Sequence, residues 1–146
     1  MDKTHYIAPC GVNCLNCKIH ESNLTEEYKA KAAEHLDVSP DKVRCRGCRP
    51  EQGKCKLLPS ECATWLCTRE KGVTYCFECD EFPCTLLAPS AKGAHLLHNA
   101  KLYNLCRMKF FGIDAWLEES AQIQQLYFEG EFVVGKGPVL NHGENQ

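Results

Sequence analysis

Twelve cysteines in 146 residues constrain this chain more than any other feature. At about 8% of the chain they approach the density that marks a cysteine scaffold. Such a density means disulfides or metal, and the compartment decides between them. The first residues, MDKTHYIAPCG, contain no basic stretch followed by an apolar run and a small-residue cleavage site, so they do not read as a secretory signal. No segment approaches the roughly 18 apolar residues of a membrane helix. The expectation is a cytoplasmic chain whose thiols stay reduced, where closely spaced cysteines bind metal. The counter-reading is a disulfide framework in a processed, secreted chain.

Eleven of the cysteines lie between Cys10 and Cys84, and only Cys106 falls beyond. Cys10, Cys14 and Cys17 form a CxxxCxxC run. Cys45 and Cys48 form a CxxC knuckle with Gly47 at its turn. Cys55, Cys62 and Cys67 are a looser series. Cys76 and Cys79 form a second CxxC, followed by Cys84. A CxxC turn aims two thiolates at one point, at the reach of a zinc–sulfur bond of about 2.3 Å, and two such turns complete a tetrahedral site. All eleven are therefore candidate metal ligands. Which of them share an ion is not written in the spacing. The preferred grouping puts Cys10, Cys14, Cys17 and Cys84 on one ion and Cys45, Cys48, Cys76 and Cys79 on another. The two CxxC pairs of the second set are 27 residues apart, longer than the usual ribbon spacing of about 15–20. Cys55, Cys62 and Cys67 would then leave a third site with a vacant position. Histidine could complete it, with His20, His95 and His98 as candidates, or it could stay open as a catalytic metal does. Each histidine also has a plainer account at the surface or the core edge. Cys106, in an apolar helical stretch, reads as a small buried hydrophobe.

Two or three zinc ions are the expected cofactors, with an iron–sulfur cluster as the alternative, since clusters also use four thiolates at short spacings. CxxxCxxC is the spacing of radical S-adenosylmethionine enzymes. Those build most of a parallel barrel, a full one taking at least about 200 residues, and this chain shows no strand–helix alternation.

The sequence reads as a single domain over residues 1–146, with a cysteine-rich metal-binding part at 8–88 and a helical part at 93–140 ending in a short strand or hairpin. The fold class is α+β: a small, irregular, metal-stabilised fold with cysteine knuckles and C-terminal helices. A helix is expected over about 24–36, capped by Ser22 or Asn23, with Leu24, Tyr28, Ala32 and Leu36 at helical spacing. Residues 43–84 read as knuckles and turns in which metal replaces a core. A second helix is expected over about 95–110, with Leu96, Ala100, Tyr103, Arg107 and Phe110 on one stripe, Leu102, Leu105 and Met108 widening the apolar face, and Gly112 as its stop. A third would be capped by Asp114, with Ile113 and Leu117 as a staple, and would carry Trp116, Ile123 and Leu126 or Tyr127. Residues 128–140 read as the strand or hairpin, followed by a polar tail.

Charge is near balance, with 17 Lys and Arg against 19 Asp and Glu, which gives no global reason to bind nucleic acid or an anionic membrane. Residues 42–56 do concentrate Lys42, Arg44, Arg46, Arg49, Lys54 and Lys56. Local charge balance, against thiolates and acidic neighbours such as Glu78, Asp80 and Glu81, accounts for them better than phosphate contacts, because interleaved aromatics are missing. Glu118 and Glu119 point in different directions on a helix and read as solvated. No phosphate-binding glycine loop is present, and catalysis finds little support. The partner expected is a protein sooner than a nucleic acid, with no membrane contact.

Ala8-Pro9-Cys10-Gly11 through Cys17, Arg44 to Arg49, Cys62, Cys67, Glu70 to Val73 and Tyr75 to Cys84 follow one another in a pattern that resembles the prokaryotic domain-of-unknown-function family numbered 3795. Gly112 to Glu119 is similar to that family's later segment. The resemblance spans roughly residues 8–120 and implies a metal binder of unassigned function. Many members end in a further cysteine pair after the tryptophan helix. Gln122 to Phe128 holds none here, which favours self-contained sites within residues 10–84. The resulting expectation is a small cytosolic zinc-binding protein whose metal is mainly structural and which acts as an interaction module. The alternatives are an iron–sulfur or redox protein and an enzyme with an open metal site.

Overall fold

The computed structural model describes residues 2–55, 60–94 and 96–140. Its main elements are helices α1 (Glu26–Leu36), α2 (Ala63–Glu70), α3 (Lys101–Phe111) and α4 (Ile113–Glu129), then strands β1 (Glu131–Val133) and β2 (Gly137–Val139). Short 3-10 turns connect them. The two strands pair antiparallel, with Glu131 opposite Val139 and Val133 opposite Gly137. The described chain is thus helix-rich with one small sheet, in keeping with the α+β expectation. No described helix is long and apolar enough to cross a membrane.

Helix α1 starts two residues later than the pattern suggested. Its cap is Thr25, whose hydroxyl accepts from the Tyr28 amide at 3.1 Å. Ser22 and Asn23 are not free to cap: Ser22 bonds His20, and the Asn23 amide donates to the Leu15 and Cys17 carbonyls. Only Ala33 of α1 is buried, so this helix adds little to the core. Helix α2 was read as part of the knuckles. Its run Ala-Thr-Trp-Leu-Cys-Thr-Arg-Glu has neither Gly nor Pro, and nothing in it opposes a helix.

The stripe expected on α3 is turned toward its wider edge, where Leu105 and Met108 stand as expected. Tyr103 and Phe110 are exposed, while Asn104, Leu105 and Met108 are buried. A 3-10 turn at Leu97–Ala100 precedes the helix and shifts the angle at which it presents its side chains. His95, the expected helix start, and the tail 141–146 lie outside the described residues. Gly112 does end α3, but it also serves as the cap of α4, and Asp114 falls inside the first turn of α4 instead of capping it. There its carboxylate suits the positive helix end. Trp116, Ser120 and Ile123 are the buried face of α4, and Phe128 belongs to the helix and not to the hairpin.

One apolar core joins the two parts of the chain. Ile7, Ala8, Val12, Tyr75 and Leu87 from the cysteine-rich part pack with Leu105, Met108, Trp116 and Ile123. Cys10, Cys14 and Cys76 are members of the same core. The first cysteines thus stand on the surface where the helical pair meets the loops.

Candidate metal centre

The first cysteine turn is built by backbone bonds. The Ala8 amide donates to the Val12 carbonyl and the Gly11 amide to the Ala8 carbonyl, both at 2.9 Å. Gly11 has φ +87°, and a Cβ there would lie 3.0 Å from Leu105 Cγ and 3.1 Å from the Lys101 carbonyl. Only glycine fits both the left-handed backbone and the close approach of α3. The Gly11 carbonyl accepts from Asn104 Nδ2 at 2.9 Å, and Asn104 Oδ1 accepts from Trp116 Nε1 at 3.2 Å. Helix α4 fastens the next turn, because Asn13 donates to Ser120 and Gln124 to the Asn16 carbonyl. A tight turn follows from Cys14 to Cys17, closed by the Cys17 amide on the Cys14 carbonyl at 3.1 Å.

Long-range backbone contacts then bring the later cysteines to the first. His20 pairs with Cys45 in a parallel bridge, and the Glu21 amide donates to the Cys45 carbonyl at 2.8 Å. Gly53 donates to the Cys48 carbonyl and accepts from the Cys62 amide, which folds Cys62 back over the knuckle. Gly47, at φ +103°, lies against the Cys14 side chain. The Cys76 amide donates to the Pro9 carbonyl at 2.9 Å, setting the last knuckle beside Cys10. Arg49 ties three segments together: Nε donates to the Ile7 carbonyl at 2.8 Å, Nη2 donates to the Thr74 carbonyl at 3.0 Å, and the guanidinium lies over the Tyr75 ring.

None of the twelve cysteines, all of them among the described residues, is in a disulfide, and their neighbours fall into a definite pattern. The Cys14 and Cys48 thiols are hydrogen-bonded to each other, and both Cys10 and Cys62 lie within electrostatic reach of Cys48. The Cys45 and Cys55 thiols form a second bonded pair, and Cys17 feels Cys55 as well as Cys14. Cys67, Cys76, Cys79 and Cys84 line a single small cavity beside Lys71 and Phe82. Cys84 therefore lies with Cys67, Cys76 and Cys79, whereas the preferred grouping joins it to Cys10, Cys14 and Cys17; Cys76 neighbours both Cys10 and Cys84. Cys45 and Cys48 face different thiols, and the looser series Cys55, Cys62 and Cys67 is divided among three groups. Cys106 belongs to none of these groups. Among the described residues, no three of the Cys, His, Asp and Glu side chains converge in coordinating geometry.

A local motif recurs at these thiols. The sulfur of residue i accepts from the amide of residue i+2 at Cys45 (Gly47, 3.3 Å) and Cys79 (Glu81, 3.4 Å). Cys10 accepts likewise from Val12 and Cys17 from Ile19. Amide donors aimed at sulfur favour the thiolate over the thiol, and where a metal is bound such contacts hold a ligating thiolate in place. Burial works against the charge. It pushes the Cys10 thiol up to about 11 and the Cys76 thiol up to about 12. Cys14 moves the other way, down to about 7, because Cys48 donates a hydrogen bond to it and Arg49 lies near. Cys48 is raised by that same bond, and Cys45 is raised by its bond with Cys55. A soft donor set of this kind, buried and reinforced by amides, suits zinc or an iron–sulfur cluster.

Among the histidines, His20 is buried and its Nε2 has no hydrogen-bond partner. His98 is exposed, and His95 lies outside the described residues. The basic run is engaged locally: Arg44 pairs with Glu21, Arg46 with Glu51 and Lys54 with Glu61. These partners differ from the acidic residues expected, since Glu78 instead accepts from the Thr74 and Tyr75 amides and Glu81 pairs with Lys71. Lys56 lies outside the described residues. Glu119 is not merely solvated, because it holds Arg107 with both oxygens at 2.6 and 2.7 Å. Sequence reasoning missed the structural roles of Arg49 and Asn104, and no local signal marks either residue.

No curated protein and no solved structure matches the chain. The family model described as "Protein of unknown function (DUF3795)" matches residues 6–89. That match covers more than half of the sequence and every cysteine but Cys106, and the chain belongs to this family.

Proposed function

We propose that this is a small zinc-binding protein of the reducing cytoplasm, that its metal is mainly structural, and that it serves as a module for contacting another protein. One observation carries the reading: the thiols from Cys10 to Cys84 neighbour one another in small groups, with Cys10, Cys14 and Cys76 in the apolar core, and amides turn toward four of them in the same i+2 arrangement. Zinc suits such knuckles because it takes four thiolates or imidazoles in a tetrahedron and needs no redox partner. The described residues from 14 to 74 contribute few large buried apolar side chains besides Val43, so ions there would supply cohesion that this apolar packing does not. Phe110, Phe132 and Val134 are exposed and offer apolar surface to a protein partner.

Elemental analysis of protein purified without added metal or chelator, aerobically and anaerobically, tests the reading. Two or three zincs per chain in both preparations are expected. A brown protein with iron and matching sulfide that are lost in air would overturn it in favour of a cluster and electron transfer.

A further inference from the structure

We propose that Cys45 and Cys55 are a redox-modification site, a dithiol that a low-molecular-weight disulfide such as glutathione disulfide closes reversibly into a bond across the 45–55 turn. The inference goes beyond the zinc reading and does not rest on it. A tetrahedral ion takes four donors, whereas this chemistry needs two sulfurs.

The two thiols are hydrogen-bonded to each other, and the backbone between them holds them there. The Glu51 amide donates to the Gly47 carbonyl at 3.0 Å and the Gln52 amide to the Arg49 carbonyl at 3.1 Å. The Gly53 amide donates to the Cys48 carbonyl at 3.0 Å and the Lys54 amide to the Glu51 carbonyl at 2.9 Å. Gln52 and Gly53, at φ +50° and +74°, reverse the chain, and the ion pair of Arg46 with Glu51 spans the same turn at 2.9 Å. Both ends are anchored from outside. The Glu21 amide donates to the Cys45 carbonyl at 2.8 Å, and the Gly53 carbonyl accepts from the Cys62 amide at 3.0 Å. Trp65 packs so closely on Gly53 that a Cβ there would stand 2.4 Å from Trp65 Cγ. A pair kept in contact by a closed turn has lost its loop-closure entropy before any oxidant arrives. Forming the bond then draws neighbouring sulfurs to about 2.0 Å.

Access separates this pair from the other bonded pair. Cys45 and Cys55 are both half-buried, so a small oxidant reaches either. Cys14, the partner of Cys48, is only 6% exposed and belongs to the apolar core. Disulfides that form in reducing compartments are mostly transient and redox-sensing, and exposed ones are the labile ones. In the first step one thiol of the pair gives its proton to solvent, and its sulfur attacks one sulfur of glutathione disulfide. The bond of the oxidant breaks, and one glutathione leaves as a thiolate that takes up a proton. In the second step the neighbouring thiol loses its proton and attacks the protein sulfur of the mixed disulfide, and the second glutathione leaves likewise. Two electrons pass from the pair to the oxidant, and two glutathione thiols replace the two protein thiols consumed. The bond also withdraws two candidate ligands from any metal.

The test is disulfide mapping of the full chain as purified, held in glutathione buffers of increasing oxidised fraction, quenched in acid, alkylated and digested. The first bond to form should be Cys45–Cys55. It would be read as the loss of two alkylatable thiols per chain, both at these positions, and dithiothreitol should restore them. Cys45→Ser and Cys55→Ser should each lose that bond and hold one glutathione per chain on the remaining cysteine, because the resolving thiol is gone. Cys106→Ser should behave as wild type. A first bond elsewhere, Cys14–Cys48 included, would overturn the inference, and so would Cys45 and Cys55 that stay alkylatable across the whole series. The wild-type map decides the matter even where a serine variant fails to fold.

Discussion

Cys14 stands where two thiol groups meet, bonded to Cys48 and close to both Cys17 and Cys45. Its depressed thiol and its place in the apolar core make it the cysteine whose loss reaches furthest. Cys14→Ser keeps the shape but replaces a soft donor with a poor one for zinc. The variant should carry fewer ions per chain and melt at lower temperature than wild type. Cys106→Ser, on α3 and outside every thiol group, should match wild type in metal content. Equal metal in wild type and Cys14→Ser would refute the assignment of Cys14 as a ligand. The tight turns at Cys14–Cys17 and Cys76–Cys79 were legible at this scale, because a CxxC spacing closes on itself without help from the rest of the chain. Which thiols face one another was not. The bonds that decide it, such as Gly53 to both Cys48 and Cys62 or Cys76 to Pro9, join residues that no local pattern connects.

At the level of elements, the pair α3 and α4 is fastened to the first cysteine turn by a buried relay, Trp116 to Asn104 to Gly11. The pair is fastened to itself by Arg107 and Glu119, each a little under one-third exposed. The physics ranks the two contacts differently. Asn104→Ala strands the Gly11 carbonyl and the Trp116 N–H away from water, at about 1–3 kcal/mol for each group left unpaired. Glu119→Gln disturbs a partly solvated ion pair, worth at most about 1 kcal/mol. Denaturant unfolding of the metal-loaded variants should therefore show a much larger loss for Asn104→Ala, and a larger loss for Glu119→Gln would contradict the ranking. The existence of α1, α3, α4 and the hairpin could be read from apolar spacing and from Gly112. The buried face of α3 could be read only in part: Leu105 and Met108 belong to the apolar face expected, whereas buried Asn104 does not and Tyr103 and Phe110 point outward. Its outward side is as apolar as its inward side, with Tyr103, Phe110 and Phe111 all exposed, so periodicity alone cannot choose between the two faces.

Over the whole molecule, one modest apolar core sits between the helical pair and the loops, and the cysteine-rich segment gives it Ala8, Val12, Tyr75 and Leu87 along with three thiols. A structural zinc site contributes on the order of 10 kcal/mol to folding, comparable to the entire net stability of a domain, about 5–15 kcal/mol. Removing metal with a strong chelator should thus unfold the protein, with loss of near-ultraviolet circular dichroism and exposure of Trp116, which is only 1% exposed in the fold. Retention of both signals after complete chelation would show that the apolar core suffices and that metal is not structural. By itself the sequence determined the number and spacing of the cysteines, the helices of the C-terminal part, and the family. These are matters of composition and short-range order, which a chain carries whether folded or not. Only the tertiary structure decided the partners: that Cys84 joins Cys67, Cys76 and Cys79, that Cys45 meets Cys55, and that the His20 ring is buried with an unpaired nitrogen. Those choices depend on which distant backbone segments pair and which face of each helix is covered, and long-range packing settles both.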